Sequence, residues 1–182
     1  MARIAFPQQI EDAPEAAQPL LAQAKAALGK SINLHRLVAL SPTALQGMLG
    51  FNGALAKGTL RPALREQIAL AIAQVNSCSY CNAAHSFIAG QLLKLDDASI
   101  AAARDGHAAD AKADAALVFA RKVALARGGV SEADLAAVRA AGFSEGEVLE
   151  IIAHVAFNTF TNYVNEVFKT DVDFPQVERV AG

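Results

Sequence analysis

An all-α fold is predicted by three features of this 182-residue sequence. Alanine contributes 41 residues, roughly 23 of the 53 per cent that are apolar, and alanine is the strongest intrinsic helix former. Residues that favour strands are scarce, with aromatics at 6 per cent and no Trp. Helix start and stop signals recur along the whole chain. About eight helices joined by short connections follow, in one domain spanning residues 1–182.

Apolar positions Ala17, Leu20, Leu21, Ala24 and Leu28 carry helical spacing through residues 14–28, and Gly29 stops that helix. A short helix is predicted over 34–40. Ser41-Pro42 reads as an N-cap with proline at the first helical position, opening a helix to about residue 57 despite Gly47, Gly50 and Gly53. Pro62 opens the next, with Leu64, Ile68, Ala71, Ile72 and Val75 as its apolar stripe and a stop near Asn76-Ser77. A further helix runs from about 78 to 93. Asp96 or Asp97 caps a short helix ending near Gly106, and Asp110 caps a long one closed by Gly128-Gly129. Ser131 with Asp134 and Ser144 with Glu147 resemble capping boxes, which begin helices of about ten and about twenty-five residues. From Asp171 the tail has no clear periodicity. A faint self-similarity relates residues 72–82 to 152–162 at an offset of 80, as a duplicated helical hairpin would.

Composition excludes several functions. A net charge of −2 with no basic block leaves no footprint for nucleic acid. No window of about 18 apolar residues supports a membrane span. The N-terminus lacks the apolar stretch of a signal peptide, so the expected compartment is the cytoplasm. Two cysteines three positions apart are no extracellular disulfide framework.

Chemistry concentrates between Glu66 and His85. On a helix, Cys78 and Cys81 share a face with Cβ atoms about 5 Å apart, a separation that suits a disulfide. His85 lies one turn beyond Cys81, and a helix N-terminus favours a thiolate. If the chain reverses near Asn76, Glu66 is ten residues before the turn and His85 nine after it, so the two meet at the same height on antiparallel helices. Nucleophile, base and a carboxylate that orients the base are then assembled. A thiolate reduces a peroxide by becoming a sulfenic acid. A neighbouring thiol condenses with that acid, and an external dithiol reduces the resulting disulfide. This chemistry needs no metal and no bound organic cofactor.

Glu66, eleven intervening residues, and then Cys78-Ser79-Tyr80-Cys81 through His85 resembles the core of the alkylhydroperoxidase D-like branch of the carboxymuconolactone decarboxylase family. The resemblance implies an all-α fold assembled into trimers or hexamers. It implies that Cys81 is the peroxidatic cysteine, Cys78 the resolving one, His85 the base and Glu66 the end of a proton relay. It also implies a hydroperoxide substrate and an external dithiol or lipoyl-type reductant. Tyr80 stands where the best-studied branch carries histidine, as a pocket residue or a packing residue. The alternatives are a non-redox enzyme of the decarboxylase type acting through His85 and Glu66, and a helical module using the cysteines for packing or zinc, with His35, His107 or His154 completing a metal site. His154 is expected to be a core histidine of the last long helix. Asn158, Asn162 and Asn165 on that helix are expected to cap neighbouring helix ends or line a polar interface.

Overall fold

The computed structural model describes residues 2–175. Among them are nine α-helices and no strand: α1 (Gln18–Leu28), α2 (Asn33–Val38), α3 (Pro42–Leu55), α4 (Pro62–Val75), α5 (Ser79–Phe87), α6 (Asp97–Arg104), α7 (Ala111–Leu125), α8 (Glu132–Ala140) and α9 (Glu145–Phe168). Two short 3₁₀ turns, Ile10–Asp12 and Glu15–Ala17, lead into α1, and one π turn, Ile88–Leu92, prolongs α5.

Helix starts follow the polar side chains that satisfy free backbone N–H groups. Ser41, Asp96 and Asp110 each accept from the backbone three residues on. Ser131–Asp134 and Ser144–Glu147 both close as reciprocal capping boxes. Gly29 ends α1 at φ 74°, a left-handed conformation that glycine adopts without steric cost.

The predicted one-sided stripe on α4 proves too narrow. Leu64 and Ile68–Ala73 are all buried, while Val75 is only half-buried. Helix α4 therefore runs through the middle of the bundle, against α5, α6, α7 and α9. Ala69, Ala71, Ala73 and, on α5, Ala83 and Ala84 let neighbouring backbones approach closely. One apolar cluster joins α4 to α6–α9 around Ile68, Ile72, Leu117, Phe119 and Ile151. A second joins α1–α3 to α5 around Leu21, Leu45 and Met48, and contains Cys78 and Cys81.

Three expectations are corrected. The helix predicted over 78–93 changes to a π turn after Phe87, so the backbone register shifts beside the thiol pair. Cys78 is the N-cap of α5 in extended conformation and not a helical residue. Residues 152–162 lie inside one continuous helix, so they do not repeat the α4–α5 hairpin. Ile152 and Phe160 are exposed where Ile72 and Tyr80, their counterparts in the match, are buried.

Candidate functional site

The chain reverses at Asn76-Ser77, with Ser77 in a left-handed conformation at φ 53°. Cys78 then donates its backbone N–H to Ala73 O at 2.9 Å. As N-cap, its sulfur accepts the Cys81 backbone N–H at 3.3 Å. The two Sγ atoms are 2.6 Å apart, and both cysteines are free and buried.

The two thiols differ. Burial opposes ionisation of Cys81, but the hydrogen bond from Cys78, the charge of His85 and amides of α9 outweigh it, so the Cys81 pKa is lowered. Asn165 supplies one of those amides, with Nδ2 donating to Cys81 Sγ at 3.2 Å. The Cys78 pKa is raised by its hydrogen bond to Cys81 and by burial. Proton and charge thus separate across the pair, with the thiolate favoured on Cys81.

Glu66 and His85 meet as the hairpin register predicts. His85 Nδ1 lies 2.8 Å from Glu66 Oε2, and each side chain is one-fifth exposed. Burial works against the imidazolium, yet the Glu66 charge, its hydrogen bond and the Cys81 charge raise the His85 pKa. Arg65, next to Glu66, ties α4 to the end of α3 through Leu55 O at 3.1 Å and Ala56 O at 2.7 Å.

Cys81, His85, Glu66 and Tyr80 all line one pocket of about 360 Å³ between α1, α2, α3, α5 and α9. Its walls are largely apolar, with Leu34, Met48, Phe87, Ile88 and Phe157 among them. Cys78 is not on its surface. Tyr80 both lines the pocket and packs: its ring meets Phe174 edge-on at 5.7 Å. Its hydroxyl donates to Asp173 Oδ1 at 2.8 Å and accepts from Leu34 N at 3.2 Å. Burial and the Asp173 charge raise its pKa, so the phenol stays a donor.

The pocket also contains residues outside the Glu66–His85 motif. His35, beside no informative motif, lines it, and burial lowers its pKa to about 4 against the pull of Asp173, so the ring is neutral. Lys30 and Phe174 close the tail side, with the ammonium 3.8 Å from the ring centroid. Asp173 also accepts from Asn33 N at 2.9 Å. The aperiodic tail gave no signal of this role, because a strap held by individual hydrogen bonds has no repeat. Two asparagines of α9 act at the thiol. Asn162 takes a hydrogen bond from the Asn76 side chain at 2.9 Å, beside the end of α4, and caps no backbone group there. Both Asn162 and Asn165 help to lower the Cys81 pKa. His107 pairs with Asp114 at 3.0 Å on the surface. Among the described residues no three of His, Cys, Asp and Glu converge as metal ligands. None of the described helices is long and apolar enough to cross a membrane.

An all-α bundle that sets a CxxC pair beside a Glu–His pair is the arrangement that the resemblance implied. The profile of the carboxymuconolactone decarboxylase family matches residues 42–126, from the start of α3 through the end of α7. Among solved structures, an alkylhydroperoxidase AhpD core, a peroxidase-related protein from Ralstonia eutropha JMP134, superposes with a TM-score of 0.84 at 25% identity, over 94% of this chain and 92% of that one. A peroxidase-related protein from Silicibacter sp. TM1040 gives 0.81 at 23% identity, over 93% and 91% of the two chains. The apo debrominase Bmp8 gives 0.77 at 22% identity, over 93% and 92%. No curated protein matches the sequence. Residues 42–126 thus match the carboxymuconolactone decarboxylase family, and the chain has the AhpD-like fold.

Proposed function

We propose that the protein is a thiol-dependent hydroperoxide reductase in which Cys81 is the nucleophile and Cys78 the resolving thiol. The observation that carries this reading is the asymmetry of the pair: Cys81 faces the pocket with a lowered pKa, and Cys78 stays protonated 2.6 Å away, off the pocket surface. The apolar walls favour an organic hydroperoxide.

The Cys81 thiolate attacks the outer oxygen of the hydroperoxide. An S–O bond forms as the O–O bond breaks, and the leaving alkoxide takes a proton from the His85 imidazolium. Glu66 holds that imidazole by Nδ1 and favours its charged form. Cys81 is now a sulfenic acid. Cys78 Sγ displaces its hydroxyl group, an S–S bond forms, and the Cys78 proton leaves with the hydroxide as water. An external dithiol, free or lipoyl-type, reduces the disulfide by exchange, returns two protons and is itself oxidised to a disulfide. The net reaction converts hydroperoxide and dithiol to alcohol, water and disulfide. A reducing cytoplasm, which supplies such dithiols, is the compartment proposed with it.

A homo-oligomer, a trimer or hexamer, is proposed on the outer face of α9, where Leu149, Ile152, Phe160, Tyr163 and Val167 are exposed at helical spacing.

Thiol titration with mass spectrometry, before and after one equivalent of cumene hydroperoxide, tests the reading. Both thiols and two hydrogens per chain are expected to be lost. Cys81→Ser abolishes peroxide consumption, and Cys78→Ser accumulates a trappable sulfenic acid and does not recycle. Peroxide consumption that survives both substitutions rejects the thiol mechanism.

A further inference from the structure

Glu66 and His85 face two cavities. The second, about 140 Å³ and partly open, lies between α3, α4, α5 and α9, and Cys81 does not line it. Asn52, Arg65, Glu66, His85, His154 and Asn158 are among its lining. That volume holds several water molecules, and the walls offer the polar partners that buried water requires.

His154 is the anomalous wall residue. It is 7% exposed, and its Nε2 is buried without a hydrogen-bond partner. A buried ring nitrogen left unpaired costs on the order of 1–3 kcal/mol, so an apolar residue would serve packing better. Asn158 does not relieve it, because its amide donates to the His154 backbone oxygen at 2.8 Å. The charged groups that act on His154 are Arg65 and Glu66 from α4 and Glu150 from its own helix, and His85 of α5 stands across the cavity. Helix α3 adds Asn52 and Ala56, neither of which titrates. Burial and Arg65 keep the ring neutral.

We propose that His154 is a positioning residue for the Glu66–His85 pair, joined to the Glu66 carboxylate through ordered water in the second cavity. Neutral His154 presents one N–H, and Arg65 is committed to the end of α3, so a bridging water is what can carry a donor to the back of the carboxylate. That donor fixes the aim of the carboxylate at His85 Nδ1. It thereby keeps His85 charged and Cys81 a thiolate.

The inference rests on Cys81 as the thiol primed by Glu66 and His85, but its test does not need peroxide. Iodoacetamide alkylation of Cys81 is followed against pH. In His154→Leu the midpoint is expected to rise by about one pH unit, with alkylation near neutral pH slowed up to about tenfold. His154→Gln, which retains a donor, is expected to restore most of the rate. A folded His154→Leu with the wild-type profile overturns the proposal. So does a His154→Gln profile displaced as far as that of His154→Leu, because the role is then one of packing. If His154→Leu fails to fold, a high-resolution crystal structure of the wild-type protein decides. Water linking His154 Nε2 to the Glu66 carboxylate supports the bridge, and a dry cavity overturns it. Peroxide inertness of the wild-type protein would reject the proposed reductase yet leave these alkylation profiles interpretable.

Discussion

Tyr80, seated between the two cysteines in sequence, is tied by its hydroxyl to Asp173 at 2.8 Å, and that bond brings the tail across the thiol pocket. The tail holds further through Asn33 Nδ2 to Asp171 O at 2.8 Å and Lys30 Nζ to Asp173 O at 3.2 Å. The strap thus reports on a residue of the CxxC segment directly.

Tyr80→Phe removes this latch without changing the ring. It leaves the Leu34 N–H without its acceptor in a buried place and Asp173 Oδ1 without its donor. A loss of about 1–3 kcal/mol is expected, read as a lower urea midpoint. The same change loosens the strap, so Cys81 alkylation speeds up while its pH midpoint stays put. An unchanged urea midpoint would show that the latch carries no stability.

Asn165 donates to the sulfur that the mechanism ionises. A hydrogen bond to a charged acceptor contributes about 1.5–3 kcal/mol, so Asn165→Leu should raise the Cys81 pKa by about one unit or more. Asn165→Asp should raise it further, since a carboxylate repels the thiolate. Alkylation profiles of the three proteins give the order directly. A midpoint in Asn165→Leu equal to that of the wild type would remove Asn165 from the site.

Much of this site was legible because helices obey simple arithmetic. Residue rise and one turn position placed Glu66 beside His85, and capping patterns placed most helix starts within a residue or two. Properties that depend on several elements at once were not legible. Helix α4 is buried on all sides over residues 68–73 because four helices pack against it, which a single stripe cannot express. The strap residues Asp173 and Phe174 act by individual contacts across about 140 positions of sequence, as in Asp173 with Asn33. Asn165, which the sequence marks only as one of three spaced asparagines, reaches Cys81 from α9, and His35 reaches the pocket from α2. The π turn after Phe87 carries the fully buried Ala89 and has no composition of its own.

The exposed stripe on α9 gives a prediction of assembly. Phe160 is 42% exposed and Tyr163 59% exposed, large apolar side chains that gain by burial against a second copy. Phe160→Lys with Tyr163→Glu should shift sedimentation velocity to smaller species while leaving helical content intact. A wild-type protein that sediments as a monomer at micromolar concentration would end the oligomer proposal.

Glu66→Gln separates charge from shape at the relay and fixes a pH signature. The His85 pKa lies above its ordinary value of 6.5, with burial opposing and the Glu66 charge and hydrogen bond prevailing. A raised histidine pKa stabilises the fold fully below the ordinary value, and that stability is lost as pH rises through the folded pKa. Replacing Glu66 removes the main source of the rise. The stability gap between wild type and Glu66→Gln should therefore be widest just below pH 6.5, and close as pH climbs through the wild-type His85 pKa. Cys81 has the opposite sign. Its pKa lies below the ordinary 9.0, so its contribution is present above that value and fades as pH falls through the folded pKa. With His85 less charged in Glu66→Gln, the thiolate loses its nearest cation, and the alkylation midpoint should move up by about one unit. Urea unfolding across pH and alkylation profiles are independent readings of this one pair. A stability gap that widens with rising pH would mean that Glu66 acts on some other group, and that His85 owes its charge to Cys81 alone.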